Sequence, residues 1–387
     1  MMALARLLLA GAFLLSMPGA LHAKEKERNP WLLTVSSNHG SWTSDKFSAD
    51  GSQSVGFLQL AYDLETMGAS VSTTYASASY KAAGADGRFD INTFADTDIS
   101  TFYMAKLGDL TLRGGVDLRV PTGKSAYTNE QISRIMIDKV SQEIMLLNTY
   151  GGGLNVVPHF VAVYSMKGFT VGAAGRYEFT GDYDPATESA NDQFNPGDRL
   201  TALVTGAWAI TDGDAVMFTA SYLSLGNDKQ DGKDVFRQGD TYSGDARYIR
   251  KWGEAVNTVL GVTYKNQGIN QALTSESYLQ SEVSNSNNNS LEAYINGQYR
   301  YSKSLLLRVL AGMKAIGANG YAEADPLYDA GLDKKYAEAG ATWYFTDDMY
   351  ATAQLRYTNI NNKKDALAEA DTVYEVINAD LALVYGF

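Results

Sequence analysis

Cysteine is absent from all 387 residues of the chain. Its absence excludes disulfides, thiolate metal ligands and cysteine nucleophiles together. Long apolar runs are missing as well, because no stretch of eighteen apolar residues follows the N-terminal segment. We therefore expect no membrane-spanning helix in the mature chain.

Basic residues are scarce relative to acidic ones. The chain has 32 Lys and Arg against 44 Asp and Glu, and its net charge is -12. This balance argues against nucleic acid as a partner, because phosphate binding relies on clustered cations. It does not argue against a lipid bilayer, whose interior is hydrocarbon.

The first 23 residues, MMALARLLLAGAFLLSMPGALHA, have the pattern of a secretory signal peptide. A single early charge, Arg6, precedes an apolar core that extends from Leu7 to Met17, and small residues follow up to Ala23. The pattern predicts cleavage near Ala23 and a mature chain of residues 24–387. The alternative is an N-terminal anchor, for which the apolar core is short.

Most of the mature chain alternates apolar and polar residues with a period of two. In LTLRGGVDLRV (110–120), Leu112, Val116 and Leu118 alternate with Arg113, Asp117 and Arg119. FTVGAAGRYEF (169–179) and LEAYINGQYRY (291–301) repeat the scheme. A period of two is typical of β-strands with two different faces.

Short turns and long polar loops alternate along the chain. This sorting predicts a transmembrane antiparallel up-and-down β-barrel, with short periplasmic turns and long extracellular loops. The count is about 16 strands, with 14 to 18 left open, and an even count places both termini in the periplasm. The predicted strands lie near 31–42, 56–66, 68–80, 97–107, 110–121, 156–166, 169–180, 199–210, 214–225, 241–251, 255–265, 291–301, 305–316, 334–345, 349–359 and 373–387.

These features together resemble Gram-negative outer-membrane porins over the whole mature chain. The resemblance implies that the last aromatic residues form part of the signal that the barrel-assembly machinery binds, and Tyr385 and Phe387 match that pattern. A shorter stretch, GDLTLRGGVDLRVPTGK (108–124), is similar to one in the meta-pathway phenol-degradation outer-membrane transporters. In that family a strand that begins near Gly-Asp leads into Pro-Thr-Gly.

The polar faces of the strands carry charges of both signs. A barrel of this size is too wide for side chains to fill, so these faces should line water and set ion preference. The alternative is a solvated wall without a role in selectivity. The predicted pore-lining residues are Lys106, Arg113, Asp117, Arg119, Arg176, Glu178, Arg247, Arg300, Arg308 and Arg356, with Lys265, Lys314, Asp245, Glu292, Glu338 and Asp380 as further inward candidates.

The third long loop, residues 124–153, differs from the others. Its segment NEQISRIMIDKVSQEIMLL has apolar residues at helical spacing, and GGG at 151–153 ends it. We expect this loop to fold into the barrel and constrict it, and the alternatives are a surface helix or a subunit contact. The candidate constriction residues are Glu130, Arg134, Asp138, Lys139 and Glu143.

Catalytic and metal sites find little support. His159 is a candidate inward residue, but a lone histidine there is more often part of the wall than a general base. The acidic loop stretches GDYD (181–184) and EADP (323–326) lack a defined calcium-ligand spacing. We expect no enzyme activity, no cofactor and no metal.

The sequence thus predicts a porin-like channel in the outer membrane that passes small polar or charged solutes. Two alternatives remain: a barrel that serves as a structural sleeve or surface interaction protein for a partner, and an uptake channel for hydrophobic or aromatic compounds. The expected partners are outer-membrane lipid and lipopolysaccharide, the barrel-assembly machinery and small solutes. The oligomeric state stays open, with a homotrimer as one option.

Overall fold

The computed structural model describes residues 30–45, 49–81, 87–128, 131, 151–187, 193–275, 277–364 and 371–387. In these ranges no helix has the length and apolar character needed to cross a membrane. The strands are β1 (Trp31–Ser44), β2 (Asp50–Asp63), β3 (Met67–Lys81), β4 (Phe89–Phe94), β5 (Thr97–Leu107), β6 (Leu110–Val120), β7 (Asn155–Met166), β8 (Phe169–Glu178), β9 (Phe194–Asn195), β10 (Arg199–Ala209), β11 (Asp214–Leu225), β12 (Asp228–Gln230), β13 (Lys233–Arg237), β14 (Thr241–Trp252), β15 (Val256–Gln267), β16 (Gln271–Leu273), β17 (Leu279–Ser281), β18 (Ser290–Ser302), β19 (Leu305–Ile316), β20 (Leu332–Tyr344), β21 (Met349–Asn362) and β22 (Thr372–Gly386).

Seventeen of these strands form one antiparallel sheet that closes on itself. β1 pairs with β22 from Leu32 to Ser44, which joins the first strand to the last. β5 pairs with the first half of β3, from Met67 to Ser72, and β4 pairs with the second half, from Tyr75 to Tyr80. The two strands therefore occupy one position in the barrel wall. The barrel therefore has sixteen strand positions, and the predicted all-β antiparallel barrel is confirmed.

The two ends of the barrel differ in their connections. At the short-turn end, connections of two to four residues join the strands, and β1 begins and β22 ends there. At the long-loop end most connections are far longer. The first one is an exception, because only residues 45–49 separate β1 from β2. The sequence places β2 at 56–66, whereas β2 begins at Asp50, because its polar start, DGSQS, carries no apolar alternation yet pairs with β1.

The outward face of the barrel is apolar along most strands. Leu355, Leu381 and Val309 are each about 60% exposed, which is rare for large aliphatic side chains in water-soluble proteins. Exposed aromatics form a ring on this face at the short-turn end: Trp31, Tyr164, Trp208, Trp252, Tyr299, Tyr301, Trp343, Phe345, Tyr385 and Phe387. A second ring lies nearer the long-loop end: Tyr75, Phe94, Tyr177, Phe179, Tyr242, Tyr264 and Tyr357. Such paired rings flank the apolar band of membrane barrels.

The inward face is recognised by contacts that skip a strand. Side chains on a concave surface converge, so residues on strands that are not neighbours can meet there. The hydroxyl of Tyr336 on β20 donates to Glu292 on β18, at 2.6 Å, across β19. Gly312 of β19 makes room for this contact, because a Cβ there would lie 2.4 Å from the Tyr336 ring.

An apolar cluster occupies the inward face near the long-loop end. Its buried members are Trp42, Ala49, Leu332, Ile360 and Val376, and Tyr80, Ile316 and Tyr374 pack against them. These residues come from a continuous part of the wall that includes β19 to β22, β1 and β3. The cluster fastens the seam between the first and last strands from inside, where burial of each large side chain contributes roughly 1.5–3 kcal/mol.

Three of the long loops form a second sheet beyond the barrel wall. Its five strands are ordered β17-β16-β13-β12-β9. They come from the loops between β8 and β10, β11 and β14, and β15 and β18. The sequence predicts no strands there, because those loops are rich in Asp, Asn, Gly and Ser.

Candidate channel lumen

All ten predicted pore-lining residues lie on the inward face of their strands. On β6, for example, Arg113, Asp117 and Arg119 alternate with the exposed, outward Leu112, Val116 and Leu118. The same alternation places the others inward: Lys106, Arg176, Glu178, Arg247, Arg300, Arg308 and Arg356. Lys265, Lys314, Asp245, Glu292, Glu338 and Asp380 share that face. Their role in conduction stays a prediction.

One charged group of the lumen is centred on Glu178. This carboxylate is only 4% exposed and accepts hydrogen bonds from Asn155 Nδ2 at 3.0 Å, Arg119 Nη1 at 3.2 Å and Arg176 Nη2 at 3.2 Å. Arg119 Nε also donates to Asp98, at 3.2 Å. Three donors satisfy the buried carboxylate, and this is the condition under which such a charge is tolerated.

A second group joins Asp117, His159 and Ser100. Ser100 Oγ donates to Asp117 at 2.5 Å, and His159 Nδ1 lies 3.4 Å from the other Asp117 oxygen. His159 lies over Gly115, where a Cβ would come within 2.6 Å of Nε2. The serine therefore bonds to the acid and not to the histidine, so the contact that a histidine needs to activate a serine nucleophile is not formed here.

A third charged group lies across the lumen, on β19 to β21. The side chain of Glu338 is 1% exposed and accepts two hydrogen bonds from Arg356, at 2.8 Å from Nε and 2.5 Å from Nη2. Arg308 Nη2 lies 3.6 Å from its other oxygen. One carboxylate thus compensates two guanidinium groups on the neighbouring strands.

An apolar stripe separates these groups on one side of the lumen. It consists of the inward, half-buried side chains Val161, Val163, Leu203, Met217 and Leu223 on β7, β10 and β11. Thr201 and Leu223 are paired across β10 and β11. From this pair to the short turn that joins the two strands, no inward position of either strand carries a charge. The lumen surface is therefore charged on two walls and uncharged between them, where the apolar side chains lie among the hydroxyl groups of Thr205, Thr219 and Ser221.

Asp96 fastens the third long loop at both ends. This buried residue lies between β4 and β5, and its two oxygens accept from the backbone N–H groups of Gly123, at 2.9 Å, and Gly152, at 2.8 Å. Burial raises the pKa of Asp96 from its usual 3.8, against the opposing effect of the two N–H groups. The two ends of the loop are thereby held against one position in the barrel wall.

We expect the Asp96→Ala variant to release the third loop, because both backbone donors lose their acceptor. Limited proteolysis should then cut between residues 121 and 154 several times faster, while Asp90→Ala, an exposed neighbour, should leave the rate unchanged. The raised pKa means that protonation favours the folded state: this contribution is complete below pH 3.8 and is lost as the pH rises through the folded value. Faster wild-type cutting at pH 5 than at pH 7 would contradict this assignment.

Several predicted residues lie outside the described part of the chain. Among these are the signal peptide, residues 1–23, and the constriction candidates Glu130, Arg134, Asp138, Lys139 and Glu143. Their roles stay predictions.

Sequence reasoning missed four residues of the lumen and its rim. Lys251 extends the inward face of β14, but its KWGE segment has the composition of a turn. Asp98 lies on the same face of β5 as the predicted Lys106, so the alternation of this strand could have identified it. The roles of Asn155 and Asp96 depend on contacts with distant segments that no local pattern contains.

Comparison with known proteins adds evidence on the fold. No protein-family model and no curated protein matches the chain. A bacterial polysaccharide outer-membrane secretin superposes with a TM-score of 0.50 at 9% identity, over 94% of this chain and 100% of that chain. An outer-membrane channel from Pseudomonas putida F1 gives a TM-score of 0.41 at 14% identity, over 96% and 99%. The P. putida toluene transporter TodX gives 0.43 at 11%, over 94% and 91%.

These identities are low, so the likeness concerns the fold alone. The narrower resemblance to the meta-pathway transporters remains a prediction. In its fold, the chain is a closed antiparallel β-barrel similar to those of outer-membrane proteins.

Proposed function

We propose that the chain forms a channel across the outer membrane of a Gram-negative bacterium and that small solutes diffuse through its lumen. One observation carries this proposal: a closed sixteen-position barrel has an apolar outside between two aromatic rings and a charged inside. In water this arrangement would expose its apolar surface, whereas a bilayer buries it. A barrel of this size encloses more space than its side chains fill.

Strand ends define the orientation under this proposal. Bacterial barrels have short periplasmic turns and long extracellular loops. The short-turn end, with both termini of the barrel, would then lie in the periplasm, and the five-stranded loop sheet would face the outside. The short-turn aromatic ring, which includes Trp252 and Tyr385, would lie at the periplasmic lipid interface.

Two classes of solute fit the lumen. The charged groups around Glu178 and Glu338 favour polar or charged solutes, as predicted from the sequence. The apolar stripe favours the alternative, passage of hydrophobic or aromatic compounds, because it offers them apolar side chains such as Leu203, Met217 and Leu223 on an uncharged part of the wall. A toluene transporter among the similar folds is consistent with this alternative, which we retain as the second candidate.

Lipid and lipopolysaccharide would surround the outward face, and the barrel-assembly machinery would bind the end of the chain at Tyr385 and Phe387. The loop of residues 124–153 would enter the lumen between its two ends, which Asp96 holds. A sleeve around a partner protein is the competing function.

Single-channel recording in planar bilayers tests the channel. We expect the purified protein to give discrete conductance steps without any added partner. Deletion of residues 129–148 should raise the unitary conductance if the third loop narrows the lumen. Absence of steps from correctly folded protein, together with a partner that co-purifies at fixed stoichiometry, would favour the sleeve instead.

A further inference from the structure

Six inward cations gather at the short-turn end of the lumen. Each lies within five residues of the strand end at a short turn. We call this set the basic belt: Lys106, Arg113, Arg247, Lys251, Arg300 and Arg308. In the same zone of the described inward face the only carboxylate is Asp63, at the last residue of β2.

Most cations of the belt lack a carboxylate partner. Arg247 pairs with Asp245 at 2.7 Å and Arg308 with Glu338 at 3.6 Å, and both carboxylates belong to the next zone of the lumen. No ion pair within 4.0 Å is found for Lys106, Arg113, Lys251 or Arg300 among the residues that the structure describes. The belt therefore holds a net positive charge that the wall does not cancel.

Arg113 is the most constrained of the unpaired cations. Its guanidinium carbon lies 3.7 Å from the centre of the Phe102 ring, which fixes the plane of the group. Its Nε is buried and finds no acceptor in the described chain, and the same is true of Arg308 Nε. A guanidinium group held in this way presents its N–H donors in the geometry that a carboxylate accepts.

The rest of the lumen does not share this excess. Closer to the long-loop end, Glu178 and Glu338 bind arginines, and Asp117 lies against His159. The carboxylates of the short turns, such as Glu65 and Asp109, are exposed beyond the strand ends, where water and salt screen them. The field in this third of the lumen is therefore positive, and the low-dielectric wall of the barrel concentrates it.

The apolar stripe reaches this zone. Met217 pairs with Arg247 across β11 and β14, so an apolar surface and a cation stand side by side on the inward face. A solute with an apolar body and one anionic group can contact both at once. A neutral hydrocarbon gains nothing from the belt, and an organic cation is repelled by it.

We propose that the basic belt makes this lumen anion-preferring and that its solutes are small organic anions, namely a carboxylate on an apolar body. This inference rests on the proposed channel function and adds its substrate class. The carboxylate group moves along the belt, and the apolar body moves along the stripe. No covalent step is involved.

Reversal potentials in a KCl gradient test the belt. The wild type should pass chloride in preference to potassium, and the triple variant Lys106→Gln, Arg113→Gln, Arg300→Gln should lower the permeability ratio by about threefold. These three cations have no ion-pair partner, so their loss leaves the buried pairs intact. The control removes as many inward cations at the other end of the lumen, with Lys265→Gln, Lys314→Gln and Lys334→Gln, and should keep most of the preference.

Liposome flux tests the solute class with probes of matched shape. Benzoate should enter faster than benzamide, and the triple belt variant should remove the difference. Normal conductance without anion preference, or equal benzoate and benzamide flux in the wild type, would overturn this inference while the channel itself stands. Absence of any conductance would overturn the channel and this inference together.

Discussion

Replacing Glu338 with alanine should lower the free energy of unfolding of the barrel by about 2–3 kcal/mol. The side chain is 1% exposed and lies between Arg356 and Arg308. Its removal leaves two guanidinium groups, on side chains that are 32% and 36% exposed, without a counter-charge on one wall. Hydrogen bonds to charged groups contribute more to stability than those between neutral groups. Equilibrium unfolding by urea in lipid vesicles, followed by tryptophan fluorescence, would measure the change.

Glu375→Ala provides the matched control on the opposite face. Glu375 is an outward, exposed carboxylate of β22 that accepts one hydrogen bond from Tyr357, at 3.0 Å. Its loss should change the free energy of unfolding by less than about 0.5 kcal/mol. A loss below about 1 kcal/mol for Glu338→Ala would mean that the lumen hydrates both arginines, and would refute the assignment of Glu338 as a buried counter-ion.

Deletion of Phe387 should reduce the amount of protein in the outer membrane several-fold. The backbone N–H of Phe387 donates to the carbonyl of Trp31 at 3.1 Å, and its ring stacks with Trp31 at 6.4 Å and with Tyr385 at 5.7 Å between centres. The residue thus joins the last strand to the first at the short-turn end. Quantitative blotting of outer-membrane fractions, with heat-dependent gel mobility to report folding, would measure it.

The deletion should affect assembly and leave transport alone. Phe387 lies on the outward side, so channels that do insert should keep the wild-type conductance. Phe345→Ala, which removes another exposed aromatic of the same ring, should leave the outer-membrane level near normal. Normal levels after the deletion would argue that the chain end carries no assembly signal.

Strand periodicity was enough to obtain the architecture. For β6 the sequence predicts 110–121 and the structure has Leu110–Val120, and for β19 the two agree at 305–316. The reason is that each strand has one face toward an apolar environment and one toward a polar one, so a period of two survives along its length. Parity alone then places Arg113 and Arg356 inward.

The ion pairs and inner clusters could not be obtained in this way. The contact of Glu338 with Arg356 depends on the register of β20 against β21. Periodicity predicts which face each residue lies on, but it does not predict which residues of the two strands lie opposite each other. Trp42, Ile360 and Val376 point inward although the inner face was expected to be polar. They pack together in the buried cluster at the contact between the first and last strands. In the loops, β12 and β13 pair through a two-residue turn at Asp231 and Gly232, both with positive φ, within a segment too polar to show alternation.

The loop sheet has a consequence for the way the surface of this protein changes. Ordinary surface loops accept insertions and deletions independently, whereas β9, β12, β13, β16 and β17 share one set of backbone hydrogen bonds across three loops. A change of length in one loop breaks strand pairs that belong to the other two. An antibody raised against this face should therefore bind a discontinuous epitope, and a linear peptide copied from any one loop should fail to compete with it.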